Sequence, residues 1–175
     1  MKYEFDSRLS FLGIYTLKKK SMFDILVYLF ETYFNAEDFH YPDQDSLALK
    51  LAAAGFESDE ITEALDWLSG LETLSQSPYP DHLAESTSIR VFADQELHQI
   101  NSECRGFLSF LETSGILNPL QREWVIDRVL ALSEDGVTLE KVKWTVLIVL
   151  WSQGQAQDYI FLEELLFGDS SYQMH

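Results

Sequence analysis

The sequence predicts a mainly α-helical protein, a compact multi-helix domain with at most one short extended segment. Apolar residues recur at spacings of three and four through most of the 175 residues. Helix start and stop signals interrupt this pattern at intervals typical of globular helices. We expect an N-terminal extension at 1–21, a three-helix lobe at 22–74, a linker at 75–88 and a C-terminal helical bundle at 89–175. The helix order of the lobe is compatible with a winged-helix fold.

Residues 1–21 differ from the rest of the chain because they carry a net positive charge. A clean helical pattern begins only at Met22. We therefore expect the first segment to be a non-native or flexible extension, with Met22 as the native start. The alternative is a basic arm that folds back on the acidic body, and the sequence leaves both open.

Three helices are predicted in the lobe, over residues 22–34, from about Asp45 to Ala54, and over 59–74. The second ends at Ala54 because Gly55 can adopt the left-handed conformation of a C-cap. Residues 75–88 are rich in proline and serine, which predicts the linker.

The third helix has an unusually wide apolar arc. Its central stripe is Ile61, Ala64, Leu65, Leu68 and Leu71. Trp67 lies on the flank of this stripe, at 100° per residue. Two interpretations remain open: the helix lies between two neighbours, or the Trp67 flank binds a partner.

The C-terminal half predicts four helices. A long helix over 94–114 ends at Gly115 and has Cys104 on its inward face. Asn118, Pro119 and Gln121 have the spacing of an N-cap, a first helical residue and a capping box.

Thr138 is predicted to cap the next helix, whose second half, WTVLIVLW, is apolar on nearly every side. Such a helix belongs in the centre of a bundle. A last short helix is expected near Tyr159 to Phe167.

The net charge of −17 creates a field that repels phosphate backbones. It favours a basic partner, such as a basic protein or a ribonucleoprotein surface, or it serves solubility alone. No signal peptide and no apolar run of about 20 residues is visible, so we expect a cytoplasmic protein without membrane contact.

The common catalytic motifs are missing from the sequence. No glycine-rich phosphate loop, nucleophile elbow or HExxH pair occurs, so we expect a non-enzyme without cofactor or metal. One minor alternative is a cation site at His40, Asp43 and Asp45. The favoured interpretation is that Asp43 or Asp45 caps the next helix.

Cys104 precedes Arg105, and an adjacent cation can lower the pKa of a thiol. Because Cys104 lies on the inward stripe of its helix, we interpret it as a buried structural cysteine. Arg105 is expected to pair with a carboxylate.

If the lobe were a DNA reader, its third helix would enter the major groove. The outward residues of this helix are largely acidic and would repel phosphates; they are Asp59, Glu60, Thr62, Glu63, Asp66 and Glu72. Nucleic-acid binding would therefore need a basic patch around Arg90, Arg105 or the Lys18 to Lys20 arm.

Short motifs spread over residues 22–175 carry a resemblance to a known family. They are Met22-Phe23-Asp24 with Tyr28-Leu29-Phe30-Glu31, Ala54-Gly55-Phe56 with Ala64-Leu65-x-Trp67-Leu68, Cys104-Arg105-Gly106-Phe107-Leu108 with Phe110-Leu111-Glu112, Arg122-Glu123, Val125-Ile126-x-Arg128, Lys143-Trp144 and Glu163-Glu164-Leu165-Leu166-Phe167. In these motifs the chain resembles the bacterial Smg family of small acidic helical proteins. The resemblance implies a cytoplasmic bacterial protein without an assigned activity, cofactor or catalytic residue. Smg genes often lie near genes for a DNA-processing protein and for translation-start formylation, which implies an association with such machinery.

The sequence therefore predicts a non-enzymatic interaction or adaptor protein that uses an acidic helical surface. The expected partner-binding residues are Glu60, Glu63 and Asp66, with Trp67 as an aromatic anchor. The alternative is a nucleic-acid-associated, winged-helix-like protein linked to DNA processing or translation. An enzyme of unfamiliar type, with a metal at His40, is a third hypothesis.

Overall fold

The structure, a computed structural model, describes residues 20–34, 43–76, 90–132 and 136–153, together with 164 and 168. These residues form seven α-helices and no β-strand, which confirms the mainly α fold class. The helices are α1 (Met22–Leu29), α2 (Gln44–Ala53), α3 (Ser58–Gln76), α4 (Asp94–Gln99), α5 (Ser102–Thr113), α6 (Pro119–Leu130) and α7 (Leu139–Ser152). Most of the expected linker and of the last expected helix lies outside the described residues, so the domain boundaries stay predictions.

Helix α1 begins with a capping box. The Asp24 backbone N–H donates to Ser21 Oγ (3.4 Å), and the Ser21 backbone N–H donates to Asp24 Oδ2 (2.7 Å). Ser21 therefore satisfies free N–H groups at the start of the helix, although the sequence placed it in the extension. The helix continues as a π-helical turn over Phe30–Phe34.

The cap predicted after the second helix is confirmed. Gly55 has φ of +87°, and the Phe56 backbone N–H donates to the Leu51 carbonyl (3.2 Å). At the other end of α2, Asp43 accepts from the Ser46 N–H (2.8 Å). The chain is thereby turned into α3 with the last carbonyls of α2 satisfied.

Helix α3 packs against α1, α2 and α6. Its buried face includes Ile61, Ala64 and Leu68 from the predicted stripe. The wide apolar arc is explained by these several neighbours, which was the first of the two interpretations.

The prediction of one continuous helix over 94–114 is wrong, because two helices occupy this span. The chain is extended at Ile100 (φ −104°, ψ 110°), and Asn101 then caps α5 by accepting from the Cys104 N–H (2.9 Å). The break turns Leu97 partly outward, where 45% of it is exposed, although the sequence placed it inward.

The predicted start of α6 is confirmed. The Gln121 N–H donates to Asn118 Oδ1 (2.8 Å), the Asn118 N–H donates to Gln121 Oε1 (3.0 Å), and Pro119 is the first helical residue. Thr138 caps α7 by accepting from the Lys141 N–H (3.3 Å). Both starts satisfy N–H groups that a helix leaves free.

Helix α7 lies at the centre, in contact with α5 and α6, and all residues from Thr145 to Leu150 are buried. Phe30 of the first half meets Trp144 of α7 edge to face, with ring centroids 5.8 Å apart. The two halves therefore share one continuous core. In the part of the chain that the structure describes, no helix is both long and apolar enough to cross a membrane.

Candidate interaction surface

The outward face of α3 carries three exposed carboxylates, Asp59, Glu63 and Asp66, which we call the acidic stripe. Intervals of four and three residues place them on one line along the helix. Among the described residues none forms an ion pair or side-chain hydrogen bond with these three groups. Like charges at this spacing repel one another, so a cationic partner would relieve that repulsion.

Two of the four predicted partner-binding residues do not lie on this surface. Glu60 is 6% exposed and Trp67 is 3% exposed. The Trp67 Nε1–H donates to the Arg128 carbonyl of α6 (2.8 Å). Trp67 is therefore an internal contact between α3 and α6 and does not present an exposed aromatic anchor.

The Arg128 side chain also contacts Trp67. We call the group of Trp67, Gly70 and Arg128 the Trp67–Arg128 junction. Arg128 Nη1 donates to the Trp67 carbonyl (3.0 Å), and its guanidinium carbon lies 5.8 Å from the Trp67 ring. A Cβ at Gly70 would lie only 2.0 Å from Arg128 Nη1. The guanidinium thus occupies space that any other residue at position 70 would fill.

The junction borders the acidic stripe, because Gly70 follows Asp66 by four residues on the same line of α3. Arg128 is also held by an ion pair with Asp127 (2.6 Å). Its position is therefore fixed by a carbonyl, a carboxylate and a ring. This group was not predicted from the sequence, where its one signal is a glycine inside a helical pattern, which often marks close packing.

Arg90, a candidate for a basic patch, is engaged inside the protein. Its guanidinium forms ion pairs with Glu96 and Glu123, each at 2.7 Å, and lies 4.6 Å from the Phe92 ring. Hydrogen bonds to Glu96 and then Glu123 raise the pKa of Arg90 further, and the hydrogen bond from Arg90 lowers the pKa of Glu96. Two carboxylates therefore balance this cation, and little charge is left for phosphate.

Arg105, the second candidate, contacts carbonyl groups where a carboxylate was expected. Its Nη1 donates to the Ile100 carbonyl and, at 3.5 Å, to the Leu97 carbonyl. These carbonyls end α4, where the helix dipole attracts a cation. The expectation of a carboxylate partner was wrong, because the break at Ile100 places free carbonyl groups within reach of the Arg105 guanidinium.

Cys104 is fully buried, which confirms its interpretation as a structural residue. Burial, followed by the negative charge of Glu103, raises the pKa of its thiol. A raised pKa keeps the sulfur in the poorly reactive thiol form.

At the proposed cation site, Asp43 caps α2 as the favoured interpretation predicted, and its side chain is exposed. The hydrogen bond from the Ser46 N–H lowers the pKa of Asp43. His40 lies outside the described residues. Within those residues no three His, Cys, Asp or Glu side chains are grouped closely enough to hold a metal ion.

Comparison with known proteins gives a match over nearly the whole chain. A family model described as "Protein of unknown function (DUF494)" matches residues 22–175. "Protein Smg homolog" of Nitrosomonas europaea is 49% identical over 154 residues, covering 88% of this chain and all of that protein. The homolog of Aromatoleum aromaticum is 50% identical over 83% of this chain and 92% of its own length. No solved structure is significantly similar.

Proposed function

Since the chain belongs to the bacterial Smg family, described as of unknown function, we propose from its surface that it is a non-enzymatic interaction protein. It binds a basic protein, or the basic surface of a ribonucleoprotein, through the acidic stripe. The observation that carries this proposal is the alignment of three exposed carboxylates without partners among the described residues.

The rigidity of α3 supports a binding role. Three helices pack against its other sides, and the Trp67–Arg128 junction fixes its second half. Carboxylates on a rigid helix need no backbone ordering when a partner binds, which reduces the entropic cost of association. The stripe is thus preorganised for cations spaced along an extended or helical segment.

Because Trp67 is internal, the proposed surface is polar and its contacts are mainly electrostatic. Such contacts accelerate association and select partners by charge more than they add affinity. We therefore expect binding that weakens steeply with salt, as exposed charges are screened over about 10 Å at 0.1 M ionic strength.

Charge reversal of the stripe tests the proposal. The variant Glu63→Lys/Asp66→Lys is compared with Glu72→Lys/Glu103→Lys, which has the same net charge but changes exposed residues outside the stripe. The probe is a fluorescent hexalysine peptide, followed by anisotropy at low and high salt. We expect the stripe variant to lose affinity roughly thirtyfold or more, because two close charge pairs of about 1 kcal/mol each in water are lost.

The control variant should lose much less affinity, since only the general field of the protein changes. Equal losses in both variants, or no loss in the stripe variant, would refute the proposed surface. Far-ultraviolet circular dichroism serves as the control that both variants remain helical. The peptide stands in for the basic segment of a partner protein.

The nucleic-acid-associated alternative is not favoured by the arrangement of the arginines. Arg90 is paired with two carboxylates, and Arg105 is directed at carbonyl groups. Neither guanidinium is left for a phosphate, whose contacts require cations that release counterions. Gel shifts with DNA and RNA at low salt test this alternative, which predicts a retarded, salt-sensitive complex.

A further inference from the structure

A lysine side chain from the N-terminal segment lies in a small site between α2 and α3. The Lys20 Nζ lies 4.4 Å from the centre of the Phe56 ring and donates to the Ala54 carbonyl (3.4 Å). We call the Phe56 ring and the Ala54 carbonyl the ammonium site. A ring face and a carbonyl oxygen are both attractive to a primary ammonium group.

The backbone explains why this site is formed here. Helix α2 ends at Ala54, and the positive φ of Gly55 turns the chain so that Phe56 follows directly. The Ala54 carbonyl therefore belongs to the negative end of the α2 dipole, which favours a cation. Lysine side chains commonly donate to such terminal carbonyls.

The Phe56 ring is held in place from two sides. Its backbone N–H donates to the Leu51 carbonyl, and its ring packs against Tyr28 of α1, with centroids 5.3 Å apart and planes tilted by 59°. The ring is thus positioned by α1 and by the end of α2, whichever cation lies on it.

We propose that the ammonium site is a docking point for a lysine of the basic partner, and that Lys20 occupies it in cis and competes with that lysine. Phe56 precedes Asp59 by three residues. A partner whose lysine binds to Phe56 would therefore have its neighbouring residues near the acidic stripe. The matched family segment begins at Met22. The site therefore lies within this segment, whereas its occupant Lys20 lies before it.

The competition rests on the proposed function, whereas the contact between Lys20 and Phe56 does not. The contact is tested on the full chain labelled with 13C-lysine. The Lys20 Hε protons should be shifted upfield by the Phe56 ring, and this shift should disappear in Phe56→Leu, which keeps an apolar side chain. A Lys20 resonance at the ordinary position in the wild type would overturn the proposal.

The competition is tested with the same hexalysine peptide. Lys20→Gln and Lys19→Gln each remove one positive charge, but only Lys20→Gln vacates the ammonium site. We expect Lys20→Gln to bind the peptide about two- to fivefold more tightly than Lys19→Gln, as a cation–π contact of about 0.5–1 kcal/mol implies. Adding Phe56→Leu to both variants should abolish this difference.

Equal affinities of Lys20→Gln and Lys19→Gln would overturn the inference, because the N-terminal lysines would then act only through their general charge. If the peptide still distinguishes the stripe variant from its control, the proposed function survives that result. If it does not distinguish them, the proposed function fails separately.

Discussion

Replacing Gly70 with alanine should destabilise the protein, although alanine is the better helix former. Gly70 lies in the middle of α3, and an alanine in such a position normally stabilises a helix by about 1 kcal/mol. Here the added Cβ would lie 2.0 Å from Arg128 Nη1 and 2.8 Å from Arg128 Cζ. The guanidinium must therefore leave its position at the Trp67–Arg128 junction.

The cost of this displacement follows from the contacts that Arg128 makes. The hydrogen bond from its Nη1 to the Trp67 carbonyl is charge-assisted, and such bonds contribute about 1.5–3 kcal/mol. Its ion pair with Asp127, on the same helix, can re-form in a new rotamer and therefore adds nothing to the cost. A loss of about 2 kcal/mol against a gain of about 1 kcal/mol gives a net destabilisation of about 1 kcal/mol.

The assay is urea unfolding of Gly70→Ala in the wild-type and Arg128→Ala backgrounds, followed by circular dichroism. With Arg128 removed, the same substitution meets no guanidinium and should stabilise the protein by about 1 kcal/mol. The sign of the effect thus reverses, and the interaction energy is about 2 kcal/mol. Stabilisation of equal size in both backgrounds would refute the close approach of Arg128 to Gly70.

Three further predictions concern caps, ion pairs and buried indoles, all measured by urea unfolding. Asn101→Ala should cost about 1 kcal/mol, because α5 loses its N-cap; no loss would support a continuous helix. Arg90→Gln should cost about 2 kcal/mol at pH 7. Because Arg90 lowers the pKa of Glu96 below its usual value of 4.5, the ion pair stabilises the protein above pH 4.5, and this stabilisation is lost as the pH falls further. The difference in unfolding free energy between Arg90→Gln and the wild type should therefore shrink on acidification. A constant difference would contradict the ion pair. Trp67→Phe should cost about 1–2 kcal/mol more than Trp124→Phe, since the Trp67 N–H has an acceptor and the buried Trp124 N–H has none among the described residues; equal costs would contradict this difference.

Local signals were sufficient to predict most helix boundaries. The caps at Asn118 and Thr138 and the turn at Gly55 follow from residue types a few positions apart, and each is present in the structure. The break at Asn101 was missed because the apolar spacing of Ile100 and Cys104 continues across it. Periodicity alone did not show that Asn101 begins a new helix.

The candidate surface was only half predictable. Glu63 and Asp66 are exposed as expected, since their helical positions oppose the core stripe. The burial of Trp67 depends on α6, whose partner residue Arg128 is 61 positions away. Contacts between residues so distant in the chain are tertiary, so a local pattern such as Gly70 can indicate close packing but cannot identify the partner residue.

The distance along the chain between Trp67 and Arg128 also has a consequence for biosynthesis. The first lobe leaves the ribosome before α6 exists, and N-terminal units generally fold first during synthesis. Until Arg128 is added, the Trp67 indole lacks its acceptor and the gap at Gly70 stays open. Synthesis of α6 therefore completes both the hydrogen bond of Trp67 and the packing against Gly70.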